Sequence, residues 1–338
     1  MKDSPDKPDK PKRRPRYSGR NPRHFAEKYK EHSPDRYSED VAKVIEAGKT
    51  PAGTHRPIMV REILEVLAPK PGDFAVDCTL GYGGHAQALL AAIQPGGRMI
   101  GLDVDPIELP KTELRLRTLG FGPDRFTAIQ SNFAGVAKLL PEPADMLLVD
   151  LGLSSMQIDN PERGFTYKHD GPLDLRMNPR KGQPASALLA GLDPSGLSEL
   201  LADNSDEPDA DRLARAILHA PATTTLQLAA AVRKAGGGED SIRRVFQALR
   251  IEVNDEFGAL ESFLRNLPFC LKPGGRVAIL SFHSGEDRRV KKSFKIMYQD
   301  GVYSSIADEV IRPSPEERRA NPRSSSAKLR WAKMGNTG

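Results

Sequence analysis

Between Val76 and Ala86 the chain reads VDCTLGYGGHA: a short apolar run, a glycine-rich turn and the start of a helix-like stretch. Such a turn lets backbone amides approach a ligand closely, and several ligands compete for it. A phosphate-binding loop needs a lysine and then a serine or threonine after its last glycine, whereas His85 and Ala86 stand there. A dinucleotide turn follows Gly-x-Gly-x-x-Gly, and Gly81-Tyr82-Gly83-Gly84 lacks the third glycine. Asp103, 22 residues after Gly81, closes the next apolar run and suits both hydroxyls of a ribose. Dinucleotide enzymes and S-adenosylmethionine enzymes share that feature, and a plain strand-to-helix turn also accounts for the glycines.

Two later stretches separate these readings. Asp150 ends the buried run ADMLLVD, where ligands of open parallel sheets gather. LKPGGRVAILSF adds a strand led by a Gly-Gly turn. Glycine turn, ribose acid, Asp-tipped fourth strand and PGG-led fifth strand form a series common in S-adenosylmethionine methyltransferases. A nicotinamide enzyme needs a hydride-transfer site, and no residues suggest one.

The elements that position these residues are legible as alternating patterns. MVREILEVLA, AQALLAAI and KTELRLRTLG have helical spacing; PGDFAVDCTL, GGRMIGLDVD, DRFTAIQSNF and ADMLLVDLG read as strands. Alternation of this kind predicts a parallel sheet covered on both faces. It stops after about residue 160. Residues 161–239 show helical pieces joined by Pro- and Gly-marked turns, which predicts a helical insertion. The sheet resumes with an amphipathic helix from Glu256, a turn at Lys272–Gly275 and a strand over Arg276–Ser281. SSSAKLRWAK predicts an edge strand.

The 338-residue chain has a formal charge of +5, unevenly spread. Residues 1–54 hold 14 Lys/Arg against 9 Asp/Glu, and residues 311–338 hold 7 against 2, around an acidic middle. Basic ends suit a nucleic-acid partner, or two solvated tails. The proline- and charge-rich start predicts disorder to about residue 35, with a short helix capped at Ser38 and stopped at Gly48. Cys78 and Cys270, with no CxxC or Cys/His cluster, predict a reduced cytoplasmic protein with no metal site, and no apolar run predicts a membrane span.

HRPIMVREILEVL, DCTLGYGGHA, GLDVDP, LLVDLGLSSMQIDNPERGFTYKHDGPLDLRM, FQALRIEVNDE, LKPGGRVAILSFHSGEDR and NPRSSSAKLR together resemble the MraW/RsmH family, the bacterial cytosine-N4 methyltransferases of small-subunit ribosomal RNA. The resemblance runs from about residue 55 to 331. Gly285, Leu175 and Met156 depart from its usual Leu, Met and Pro, and EDSIRR precedes FQALRI in place of an ATRT-type segment.

The resemblance implies an α/β class I S-adenosylmethionine-dependent methyltransferase, Rossmann-like, with a mostly parallel seven-stranded sheet. Residues 55–160 and 240–338 would form the methyltransferase domain, and the helical insertion at 161–239 would meet RNA. It implies S-adenosyl-L-methionine bound by Gly83, Gly84, His85, Asp103, Phe133, Asp150 and Gln157. The exocyclic amine of cytosine is a weak nucleophile, so it must be aligned and its proton accepted. Asp150 is the expected acceptor, with Ser154, Ser155 and His283 behind it. Cytosine-C5 chemistry needs a poised cysteine, which neither Cys78 nor Cys270 resembles. The expected partner is 16S rRNA or the small subunit, and a homodimer is compatible. RNA contact is expected from Arg163, Arg176, Arg250, Arg288, Arg289, Lys291, Lys292, Arg323, Lys328 and Arg330, half of them engaged in internal ion pairs. A catalytically weak assembly factor and a methyltransferase of another nucleic acid are the alternatives.

Overall fold

Continuous apolar runs too short for helices resolve into seven strands in the computed structural model, which describes residues 57–336. The strands are β1 (Phe74–Asp77), β2 (Arg98–Asp103), β3 (Phe126–Gln130), β4 (Ala144–Asp150), β5 (Leu271–Ser281), β6 (Tyr303–Ile306) and β7 (Lys328–Met334). Their order across the sheet is β3-β2-β1-β4-β5-β7-β6. β7 pairs antiparallel with both neighbours and the remaining pairs are parallel. This is the expected α/β, Rossmann-like class I architecture. The chain leaves β1 toward β2 on one side and reaches β4 on the other, so the sheet's switch point lies between β1 and β4. A crevice opens there at the carboxyl ends of the strands.

Period-two alternation divides the strand side chains between two cores. On one face Ala75, Met99, Met146, Leu148, Ala278 and Leu280 pack against helices α1 (Val60–Leu67), α2 (Gly84–Ala92) and α3 (Leu109–Thr118). The other face carries Val76, Leu102, Leu147, Val149 and Ile279, with Leu260 and Phe263 from α10 (Glu256–Asn266) and Val290 and Phe294 from α11 (Ser284–Gln299). A strand buried on both faces leaves no polar alternation, which is why β1 reads as an unbroken apolar run.

The segment after β4 holds the short helix α4 (Ser155–Asp159). Then come α5 (Ala185–Gly191), α6 (Pro194–Ser205), α7 (Ala210–His219), α8 (Thr225–Lys234) and α9 (Glu239–Asn254). These last five share a third core, in which Leu189, Leu197, Leu213 and Leu228 meet Ile242, Val245 and Leu249 of α9. The helical block therefore closes only with the apolar face of α9, beyond residue 239. It is tied to the sheet region where Arg288 and Ser284 of α11 donate to Asp206, the residue that ends α6.

Three local expectations change. β7 is an inner strand, because β6, short and weakly patterned, takes the edge position. Lys272–Gly275 is a bulge within β5: pairing with β4 passes from Ala144↔Leu271 to Met146↔Arg276. Cys78 follows β1, and Cys270 ends a single 3-10 turn, Leu267–Cys270. The expected disorder to residue 35 and the helix at Ser38–Gly48 lie outside the described residues. Among the described residues no helix is long and apolar enough to cross a membrane. The last helix, α12 (Pro315–Ala320), lies against the start of α1, where Glu317 accepts from the Met59 amide.

Candidate active site

Three acids end three adjacent parallel strands: Asp77 on β1, Asp103 on β2 and Asp150 on β4. The glycine turn crosses their tips and is fixed by them. Asp77 Oδ1 accepts from the Thr79 amide at 3.1 Å, and Thr79 Oγ1 accepts from the Asp150 amide at 2.6 Å. Asp103 Oδ2 accepts from the Gly81 amide at 2.7 Å, and its Oδ1 from the Asp105 amide at 2.9 Å. From α3, Thr112 Oγ1 donates to the Gly81 carbonyl and Arg115 to that of Tyr82. Gly83 is required twice over: φ is +75°, and a Cβ there would stand 2.9 Å from the Thr112 methyl. A side chain at Gly84 would press on Pro57. The two glycines let α2 begin directly under the turn, with its first amides open at the strand tips.

Burial governs the acids. It pushes Asp77 up to about 7, with His85 and the Thr79 amide pulling the other way. It also pushes Asp150 up to about 7, helped by Glu286. Asp103 is raised by burial to about 6, restrained by the Asp105 and Gly81 amides. Asp150 Oδ1 is buried and has no hydrogen-bond partner among the described residues. Buried polar atoms are rarely left so, and an orphaned acceptor among three desolvated carboxylates fits a cationic ligand. His85, the second residue of α2, stands with Nε2 2.8 Å from the Ile58 carbonyl and Nδ1 3.5 Å from Asp150 Oδ2.

The remaining expected residues fall into two groups. Phe133 is half-buried beyond β3, its ring edge-on to Phe263 at 5.6 Å. Gln157 lies on α4: its Oε1 accepts from Ser154, and its Nε2 donates to Asp105 Oδ2 at 2.9 Å. Ser154 caps α4 through its hydroxyl, and Ser155 accepts from Arg323. Both serines are therefore engaged in holding α4. His283 precedes α11 with Nε2 3.1 Å from Glu286 Oε1. Glu286 is held low despite its burial by His283, Arg250 and the Phe282 amide. Phe257 fills the space beside Gly285, where a Cβ would stand 2.6 Å from the ring, so the glycine at this position is matched by an aromatic neighbour.

Two expected RNA contacts are corrected by burial. Arg163 is 6% exposed and binds Asp105 at 2.8 Å and the Met177 carbonyl at 2.8 Å. Arg330 is 7% exposed and binds Asp287. Arg250 pairs with Glu256 in a shielded site. Arg176, Arg288, Arg289, Arg323 and Lys328 also have acidic partners, whereas Lys291 and Lys292 lie exposed. Internal pairing thus takes well over half of the set.

Sequence reasoning passed over Asp77, Asp105, Thr79 and Glu286. Asp77 carried a usable signal, since it ends an apolar run as Asp103 and Asp150 do. Asp105 carried none, because its partners Gln157 and Arg163 are 52 and 58 residues away. Both thiols are buried and raised by burial, Cys270 to about 11, so neither is a ready nucleophile.

Comparison with known proteins places the chain's sequence in a methylase family. The family model for the MraW methylase family matches residues 52–335. The chain is 49% identical over 338 residues to ribosomal RNA small subunit methyltransferase H 1 of Lachnoclostridium phytofermentans, covering 95% of this chain and 92% of that one. It is 50% identical over 341 residues to ribosomal RNA small subunit methyltransferase H 2 of Alkaliphilus metalliredigens, covering 96% and 98%. Among solved structures, a SAM-dependent O-methyltransferase of Thermotoga maritima aligns with a TM-score of 0.42 at 12% identity, over 89% of this chain and 72% of that one.

Proposed function

The chain belongs to the MraW methylase family, and from that premise we propose that it methylates the N4 amine of a cytidine in the decoding region of 16S rRNA. At the coarser level it is an S-adenosylmethionine-dependent rRNA methyltransferase, and its relatives are named as methyltransferases of the small-subunit ribosomal RNA. The observation that carries the finer reading is the orphaned Asp150 oxygen at the tip of β4, beside a turn built for close ligand approach.

When bound, S-adenosylmethionine supplies a methyl carbon made electrophilic by its sulfonium. Amides of Gly84 and His85, at the N-terminus of α2, would take its carboxylate, since the helix dipole favours an anion there. The Gly83 amide already donates to the Leu80 carbonyl at 2.6 Å, so Gly83 would serve by the room its missing side chain leaves. Asp103 would take the ribose hydroxyls with the lone pairs its two amide bonds leave over. Phe133 would lie against the base, and Gln157 would keep α4 in place and offer its second N–H. Asp77 adds negative charge behind the turn.

Asp150 then accepts an N–H of the target amine, which aligns it and takes the proton as nitrogen gains charge. Ser154 and Ser155, whose hydroxyls hold α4, and His283, set against Glu286, would act on the base by fixing the elements around it. The helical block and the exposed Lys291 and Lys292 of α11 would hold the RNA, and a looped or single-stranded cytidine avoids the cost of unstacking. This activity belongs in the cytoplasm, with ribosomal subunits.

Digests of small-subunit RNA from a strain lacking the gene, compared by mass spectrometry with a complemented strain, test the reading. Loss and recovery of N4-methylcytidine are expected. Unchanged N4-methylcytidine would overturn the substrate assignment.

A further inference from the structure

Both ring nitrogens of His85 are assigned by their surroundings. Nε2 lies 2.8 Å from the Ile58 carbonyl, which only accepts, so Nε2 carries a hydrogen. In a neutral ring Nδ1 is then a bare lone pair, and it faces Asp150 Oδ2 at 3.5 Å. A lone pair opposite an ionised carboxylate is repulsive; with one proton between them the contact becomes attractive. We propose that His85 and Asp150 hold one proton in common, and that His85 is the positioning partner through which Asp150 takes up and passes on the proton lost by the target amine. The second half of this proposal rests on Asp150 being the acceptor of the reaction proposed above.

The surroundings favour a proton on the pair. Asp77 on β1 and Glu317 on α12 face the imidazole, and Glu286 on α11 faces Asp150. Beyond these, Asp103 faces Asp77, while His283 and Arg250 are turned to Glu286. Among the described residues no lysine or arginine forms an ion pair with Asp150; its partner is His85. Burial lowers His85 and raises Asp150, which brings their proton affinities together. A proton moves between two such groups at little cost, and the titration belongs to the pair.

In the reaction the amine nitrogen gives its lone pair to the new N–CH3 bond while the old C–S pair stays with sulfur. The electron pair of one N–H bond then returns to nitrogen, and that proton passes to Asp150. From Asp150 it crosses to Nδ1 of His85, where nearby carboxylates stabilise the imidazolium, and it leaves to water. The pair must therefore be empty of its shared proton before each turnover, so kcat rises as pH rises through the pair's apparent pKa.

The first test needs no turnover. Imidazole 15N shifts of the cofactor-free chain, followed from about pH 5.5 to 9, should show Nε2 protonated throughout and Nδ1 changing with a titration that Asp150→Asn abolishes or displaces. An Nδ1 signal indifferent to Asp150→Asn overturns the shared proton. Two variants then divide the two ring contacts. His85→Gln can keep the Ile58 contact and has no group at Nδ1; His85→Asn keeps an amide at the Nδ1 edge and drops the Ile58 contact. Both remove the lone pair that raises the proton affinity of the pair. Both should move the acid limb of the kcat–pH profile to lower pH, about tenfold in proton concentration, with the larger shift in His85→Asn, whose N–H donates to the carboxylate. A merely structural histidine predicts that folded His85→Gln keeps the wild-type profile, and that outcome overturns the relay. Full activity in Asp150→Asn instead removes the proposed acceptor, while the 15N titration still reports on the pair.

Discussion

Asp150 is the residue on which the chemistry turns. Its amide is bonded to Thr79, one carboxylate oxygen faces His85 and the other is left without a partner among the described residues. Asp150→Ala is expected to abolish methylation while the unfolding midpoint and far-ultraviolet dichroism stay near wild type; full activity would remove the acceptor role. The pH dependence has a definite sign. Asp77, Asp103 and Asp150 have folded-state values of about 7, 6 and 7, above their ordinary 3.8. Between those limits the folded chain binds more protons than the unfolded chain, so these groups cost stability as pH rises from about 4 to 7. A bound cation favours the ionised acids and offsets that cost. The rise in melting temperature given by S-adenosylmethionine should therefore be larger at about pH 8 than at about pH 6; an equal or opposite shift would show that these acids do not face the cofactor's positive charge.

At the scale of elements, the site depends on connections that hold turns in strained or crowded shapes. Gly83→Ala places a methyl against Thr112 at φ +75°. The left-handed conformation alone costs a side chain about 1–2 kcal/mol. Cofactor affinity should fall at least tenfold by calorimetry, because the turn shifts as well. Asn254, at the end of α9, binds the Leu175 carbonyl at 2.8 Å and the Met177 amide at 2.7 Å. It thereby holds Leu175, buried and left-handed at φ +62°, in the loop that also receives Arg163. Asn254→Ala leaves two backbone groups unsatisfied and should cost about 1–3 kcal/mol in denaturant unfolding. Asn254→Asp keeps the acceptor for Met177 and should lose less.

For the whole molecule, the question is how a helical block and a sheet cooperate on one RNA. The Asp206–Arg288–Ser284 link is exposed, so its worth to stability is small, about 0–1 kcal/mol. Asp206→Asn should leave the melting temperature within a degree or two. Because it frees Arg288 for phosphate, RNA affinity should rise or hold at low salt; a large loss of stability would show that the link is structural. The basic start of the chain bears on the same partner. Removing residues 1–54, which carry 14 Lys/Arg, should make the plot of log affinity against log salt shallower, if those charges meet phosphates. An unchanged slope would leave that segment out of RNA binding.

The glycine turn, the strand-tip acids Asp103 and Asp150, and the succession of strands and helices were legible because each is a local pattern. A short apolar run has to become a buried strand, and a polar residue at its end has to meet the crevice. Periodicity placed the helices of 185–234 for the same reason. The tertiary structure alone decided which charges remain for a ligand. Arg163 looked like a surface cation until folding brought it to Asp105, 58 residues away, and His85 acquired its role only when α2 delivered Nδ1 to the tip of β4. β7 became an inner strand only because β6, itself barely patterned, pairs outside it. Sequence spacing fixes what a residue is near along the chain, whereas burial and ion pairing depend on what the fold places beside it.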